Sequence, residues 1–189
     1  MEILQKLLPD EGYICIIGLK EGANPIQTFH EDWDEVENQI ELLLKQKRNV
    51  HFANATFDSP KRNAVTAITV KTFWLDIDCG EGKDYPSQAT AIKEVINFCA
   101  LTKLPKPTLV NSGHGIHCYW ILKEAITKDV WKPVAEKLRK LCKDKGLNTD
   151  SAVTCDIARA LRVPDTYNYK YEPPRLVNVL TEMPEVDFL

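Results

Sequence analysis

The run TAITVKTFWLDID at 66–78 constrains this chain more than any other segment. It is rich in β-branched and aromatic residues and apolar on both sides, so it reads as a strand. At its end it presents Asp76 and Asp78 at positions i and i+2, and the two-residue period of a strand points both to one face. Two ionised carboxylates roughly 6–7 Å apart on one face repel unless a cation sits between them, which points to a hard metal such as Mg²⁺ or Mn²⁺. The plainer alternative is a solvent-facing Asp pair entering the turn CGEG.

Further strand-like runs lie at 12–18, 50–57, 108–111, 116–122 and 175–180. Helical periodicity appears at about 31–47 (Trp33, Val36, Ile40, Leu43, Leu44), about 87–101 (Ile92, Val95, Ile96, Cys99) and 128–145. The last helix carries Val130, Val134, Leu138 and Leu141 on one face, with Thr127 as its cap and Gly146 past its end. Strands and helices interleave with no repeat and no long linker across 189 residues, so a single α/β or α+β domain with one main sheet is expected. The tail TEMPEVDFL shows no stop structure and reads as the start of a linker, which would make this the first domain of a longer polypeptide.

Composition narrows the function classes. The net charge is −3, which gives no global reason to bind nucleic acid or a membrane surface. The sum hides an asymmetry, with −6 over residues 1–100 and +3 over 101–189, so the later half is the better candidate for a polyanion. Cys15, Cys79, Cys99, Cys118, Cys142 and Cys155 form no CxxC pair, so no zinc site is expected within this segment. They read as reduced core thiols. No run approaches a membrane span or a signal peptide, and a cytoplasmic protein is expected.

Two more clusters carry chemistry. In LVNSGHGIHCYW a strand ends, a loop with Gly113 and Gly115 follows, and a second strand carries His117. Glycines at positive φ would leave backbone N–H groups open as an anion nest, with Ser112 and His117 adding donors suited to phosphate oxygens. The alternative is a tight hairpin whose histidines are incidental. In NTDSAVTCDIARALRVPDTYNYK, Asp150 and Asp156 bracket a short piece, and DIARALR reads as one or two helical turns ended by Pro164. Arg159 and Arg162 would then share a face, one answering Asp156 and the other reaching a phosphate.

Taken in order, these motifs resemble the catalytic domain of the archaeo-eukaryotic primase superfamily, particularly phage- and plasmid-encoded primase-polymerases. The match runs from about Phe73 to Lys170: a strand ending in DxD (Asp76, Asp78), a Ser/Gly loop leading to a strand histidine (Ser112 to His117), then Asp150, Val153, Thr154, Arg162, Pro164, Asn168 and Lys170. The resemblance implies an RRM-like catalytic sheet combined with an N-terminal α/β subdomain, and template-directed nucleotidyl transfer in DNA replication. Two Mg²⁺ or Mn²⁺ ions would be held by Asp76, Asp78 and Asp150, the last chosen over Asp156 by the D-x-x-V-[ST] pattern. Ser112, Gly113, His117 and Arg162 would hold the triphosphate of a (d)NTP. Implied partners are a single-stranded DNA template, a primer and a fused or associated helicase, in a host cytoplasm if the gene is carried by a phage or plasmid. The loop departs from the pattern at His114, where a basic residue is common, and Lys83 is a candidate for compensating charge. A metal-dependent nuclease and a non-catalytic single-strand-binding module are the competing readings.

Overall fold

The computed structural model describes residues 2–188. Its ten strands fall into two sheets in which every strand pairing is antiparallel. After helix α1 (Glu2–Leu7), strands β1 (Ile14–Leu19) and β2 (Ile26–His30) form a hairpin, followed by helix α2 (Trp33–Lys45) and strand β3 (Asn49–Ala53). These strands make a four-stranded sheet in the order β2-β1-β3-β8, whose last member β8 (Ala160–Arg162) arrives from far along the chain. The six-stranded sheet has the order β4-β5-β7-β6-β10-β9 and comprises β4 (Ala55–Phe57), β5 (Ala67–Ile77), β6 (Thr108–Asn111), β7 (Ile116–Thr127), β9 (Thr166–Asn168) and β10 (Arg175–Thr181). The expected single main sheet is thus a pair.

The reason lies at Asn54. The run at 50–57 reads as one strand, yet it divides there: β3 pairs with β1 and β8, while β4 pairs with β5. The Asn54 backbone N–H and side-chain amide both donate to the carbonyl of Arg159, which fixes the crossover. Aromatic side chains fill the space between the sheets, with Phe52 of β3 and Tyr119 of β7 at a ring separation of 6.5 Å.

Helices α3 (Gln88–Thr102) and α4 (Lys128–Asp144) pack on the six-stranded sheet. Asp32 caps α2 and Ser87 caps α3 through side-chain oxygens, whereas Thr127 occupies the cap position of α4 without a side-chain hydrogen bond. From α4, fully buried Trp131 stacks on Trp74 of β5 at 4.9 Å and donates its indole N–H to the Thr72 carbonyl. All six cysteines are free and buried. No helix among the described residues is long and apolar enough to cross a membrane.

The segment DIARALR is not helical. Asp156 to Arg159 form a turn, with Asp156 accepting from the Ala158 N–H, and residues 160–162 become β8. Its Ala and Leu favour helix locally, but β3 offers an unpaired edge, and His51, Phe52 and Ala53 pair with Arg162, Leu161 and Ala160. Arg159 and Arg162 therefore do not share a helical face. The tetrapeptide Ser151–Thr154 forms a short helix α5, with Asp150 capping it through its side chain.

Candidate active site

The three motif clusters meet at one end of the antiparallel β5–β7 pair. Asp76 and His117 are direct cross-strand partners, and the Asp150 N–H donates to the Asp76 carbonyl at 3.0 Å. The first carboxylate's own backbone thus anchors the segment that carries the third. Asp76 is the last carboxylate within β5, and Asp78 lies just beyond the strand, where it is far more exposed.

Burial raises the Asp76 carboxyl to about 6, with Asp78 and Asp150 adding repulsion and Arg159 and Arg162 opposing it. Each neighbouring carboxylate has its own countercharge. Lys83 Nζ sits 2.8 Å from Asp78 Oδ2, and Arg159 Nη2 lies 3.6 Å from Asp150 Oδ2. Arg159 therefore answers Asp150 rather than Asp156. Among the described residues no three His, Cys, Asp or Glu side chains are gathered closely enough to hold a metal ion; Asp78 and Asp150 are paired with cations of the chain instead. The donor set itself, a carboxyl raised by burial and further by the negative charges of Asp78 and Asp150, suits a hard divalent ion.

Arg162 is the opposite case. It is half-buried, its side chain forms no hydrogen bond or ion pair among the described residues, and its Nε is buried without a partner. A guanidinium left in that state is costly to the fold and suits an anionic ligand. Beside it, burial and the Arg162 charge push both His117 and His51 down to about 3, so both are neutral at physiological pH. His117 Nδ1 lies 3.3 Å from the Tyr119 hydroxyl, and its Nε2 lies 3.8 Å from Asp76 Oδ1. His51, on β3 opposite Arg162, carries no sequence signal beyond being a histidine within the strand run VHFA.

The Ser/Gly loop differs from the expected open nest. The Gly113 N–H goes to Asn111 Oδ1 at 2.8 Å and the Gly115 N–H to Ser112 Oγ at 3.0 Å. The loop is too buried to leave these donors unpaired, so its own side chains take them. Ser112 is 4% exposed, with its O–H still available as a donor. Gly113 has φ +85°, and an added Cβ would meet Asn168 Cβ at 2.6 Å. Gly115 does not have positive φ; glycine is required there because Ile77 O occupies the space of a Cβ. Asn168, buried below the loop, donates to the Ser112 carbonyl.

Two cavities flank the segment 79–87. One of about 280 Å³ is lined by Asp78, Lys83, Asp84, Asn148, Thr149 and Asp150. The other, about 490 Å³, opens between Gly80, Ser87, Gly113, His114 and Arg175.

No protein-family model matches the sequence. No curated protein matches it either. The structure is similar to the AEP domain of the cyanophage S-2L primase-polymerase, with a TM-score of 0.69 at 12% identity over 93% of this chain and 85% of that one. It is also similar to primase RepB′, with a TM-score of 0.57 at 12% identity over 95% of this chain and 55% of that one, so this chain spans about half of RepB′. The two-sheet architecture is thus a known one: the chain has the fold of an archaeo-eukaryotic primase domain.

Proposed function

We propose that the chain is a template-directed nucleotidyltransferase, a DNA primase, a DNA polymerase or both, which transfers a nucleotide from a (d)NTP to a 3′-hydroxyl and releases pyrophosphate. The observation that carries this reading is the meeting, within this fold, of Arg162, whose buried Nε has no partner, with Asp76, whose carboxyl is raised by burial and by the charges of Asp78 and Asp150. A carboxylate cluster beside a free guanidinium suits a substrate that arrives as a metal–polyphosphate complex.

Asp76, Asp78 and Asp150 would hold two Mg²⁺ or Mn²⁺ ions. Bound there, the ions would lower the pKa of the attacking hydroxyl and neutralise charge on the leaving pyrophosphate. Arg162 holds the developing negative charge of the pyrophosphate, a preorganised cation that has no internal partner to leave. Neutral His117, whose Nε2 faces Asp76 at 3.8 Å, orients a phosphate oxygen by hydrogen bonding and is not a general base, because its ring does not titrate near neutral pH. The Ser112 hydroxyl and Gly113 fix the turn against which the triphosphate lies. Single-stranded DNA template and a primer complete the reaction.

The test is extension of a primed template with labelled dNTP. Asp76→Ala and Asp150→Ala proteins, shown by circular dichroism to be folded, are expected to lose extension by at least about a hundredfold. Extension at the parental rate by either overturns the reading. Release of labelled fragments from DNA in place of dNTP incorporation would make the protein a nuclease.

A further inference from the structure

Arg175 opens β10, outside all three motif clusters, yet its guanidinium reaches back to the Ser/Gly loop. Nη1 donates to His114 Nδ1 at 2.8 Å and reaches the Gly113 carbonyl at 3.4 Å. Its Cζ lies 3.8 Å from the centroid of the Tyr171 ring, which in turn stands 5.0 Å from the His114 ring. None of these partners carries a negative charge. Arg175 has no carboxylate within ion-pair distance among the described residues.

A carbonyl, a ring nitrogen and an aromatic face orient the planar fork without cancelling its charge. The cavity beside it contains no Asp or Glu among its lining residues. With Nδ1 accepting from Arg175, the neutral His114 ring carries its own hydrogen on Nε2, a second donor to an anion. The neighbouring cavity has the opposite character, with Asp78, Asp84 and Asp150 in its walls. Only the segment that begins at Cys79 separates the two. Gly80, in the wall of the cationic cavity, is two residues from Asp78, a reach of at most about 7 Å along the chain.

We propose that Arg175, with His114, binds the terminal phosphate of a nucleoside triphosphate whose inner phosphates lie toward the carboxylates. This rests on the nucleotidyl-transfer reading above and adds to it the residue that reads triphosphate length. It also accounts for the departure at His114: the positive charge absent from the loop is supplied from β10.

Calorimetric titration of the protein with dATP, dADP, dAMP and a single-stranded oligothymidylate, each in Mg²⁺, tests this. The parent should bind dATP more tightly than dAMP. Arg175→Ala should lose about tenfold or more for dATP, the usual range for a lost charge-assisted hydrogen bond, while its dAMP affinity stays unchanged. Arg175→Lys, which keeps the charge but not the fork or the stack, should fall between. Arg175 is exposed, so equal melting temperatures establish that the variants fold. An equal loss for all three nucleotides, or a loss confined to the oligonucleotide, overturns the proposal and leaves the nucleotidyl-transfer reading standing. No binding of any nucleotide by the parent overturns both.

Discussion

Asp76→Asn should stabilise the ligand-free protein at neutral pH. Burial and two neighbouring carboxylates move the Asp76 carboxyl from the ordinary 3.8 to about 6. A raised carboxyl means that the folded state binds more protons than the unfolded state between those values, so this residue's contribution to stability falls as pH rises through that interval. The displacement corresponds to about 3 kcal/mol, fully lost above pH 6. Asn keeps the shape and removes the charge. Urea denaturation in EDTA at pH 4, 5, 6 and 7.5 should therefore show parent and variant close at pH 4, with the variant gaining up to about 3 kcal/mol by pH 7.5, roughly 6–12 °C in melting temperature for a chain of this length. Buried neutral His51 and His117 impose the opposite trend, stability lost as pH falls below 6.5, but that trend is common to both proteins and cancels in the difference. A difference that does not change with pH, or a variant less stable at pH 7.5, would refute the electrostatic account. Adding Mn²⁺ should then raise the stability of the parent and not that of the variant.

Lys83→Ala should leave folding intact and strengthen Mn²⁺ binding severalfold in a calorimetric titration, since it frees Asp78 from an exposed ammonium group; weaker binding would show that Lys83 organises the site. Gly113→Ala combines strained φ with contact against buried Asn168 and should cost about 1–3 kcal/mol in urea denaturation, with dATP affinity reduced as the loop shifts. A variant as stable as the parent would mean that the loop tolerates a side chain at this turn.

The strand ending in Asp76 and the loop leading to His117 were legible because period-two patterning and paired glycines report directly on local backbone. The helices at 33–45, 88–102 and 128–144 lie close to the bounds of their apolar periodicity, although the last buries Trp131, Ala135, Leu138 and Cys142 and leaves Val130 of the expected face exposed, because the bulky indole turns the helix onto β5. Strand β8 was not legible. Ala160–Arg162 has helical residues and becomes a strand only because β3 supplies an edge about a hundred residues away. Strand β2, IQTFH, is short and half-exposed and lacks the alternation that marks a strand. Within the site, residue types and order identified Asp76, Asp78, Asp150 and Arg162 as candidates. Their pairings were invisible, because Lys83–Asp78 and Arg159–Asp150 depend on how a loop and a turn close in space. The loop N–H groups illustrate the same limit: glycines announce a turn, but only the packed structure shows that Asn111 and Ser112 occupy its donors.

The crossover at Asn54 divides the site between two supports. Asp76 and His117 belong to the six-stranded sheet, whereas Arg162 ends a three-residue edge strand of the four-stranded one. An anion gripped by Arg162 and, through metal, by the carboxylates would rivet one sheet to the other, and the shortest strand of the smaller sheet would owe much of its permanence to the cargo it helps to hold.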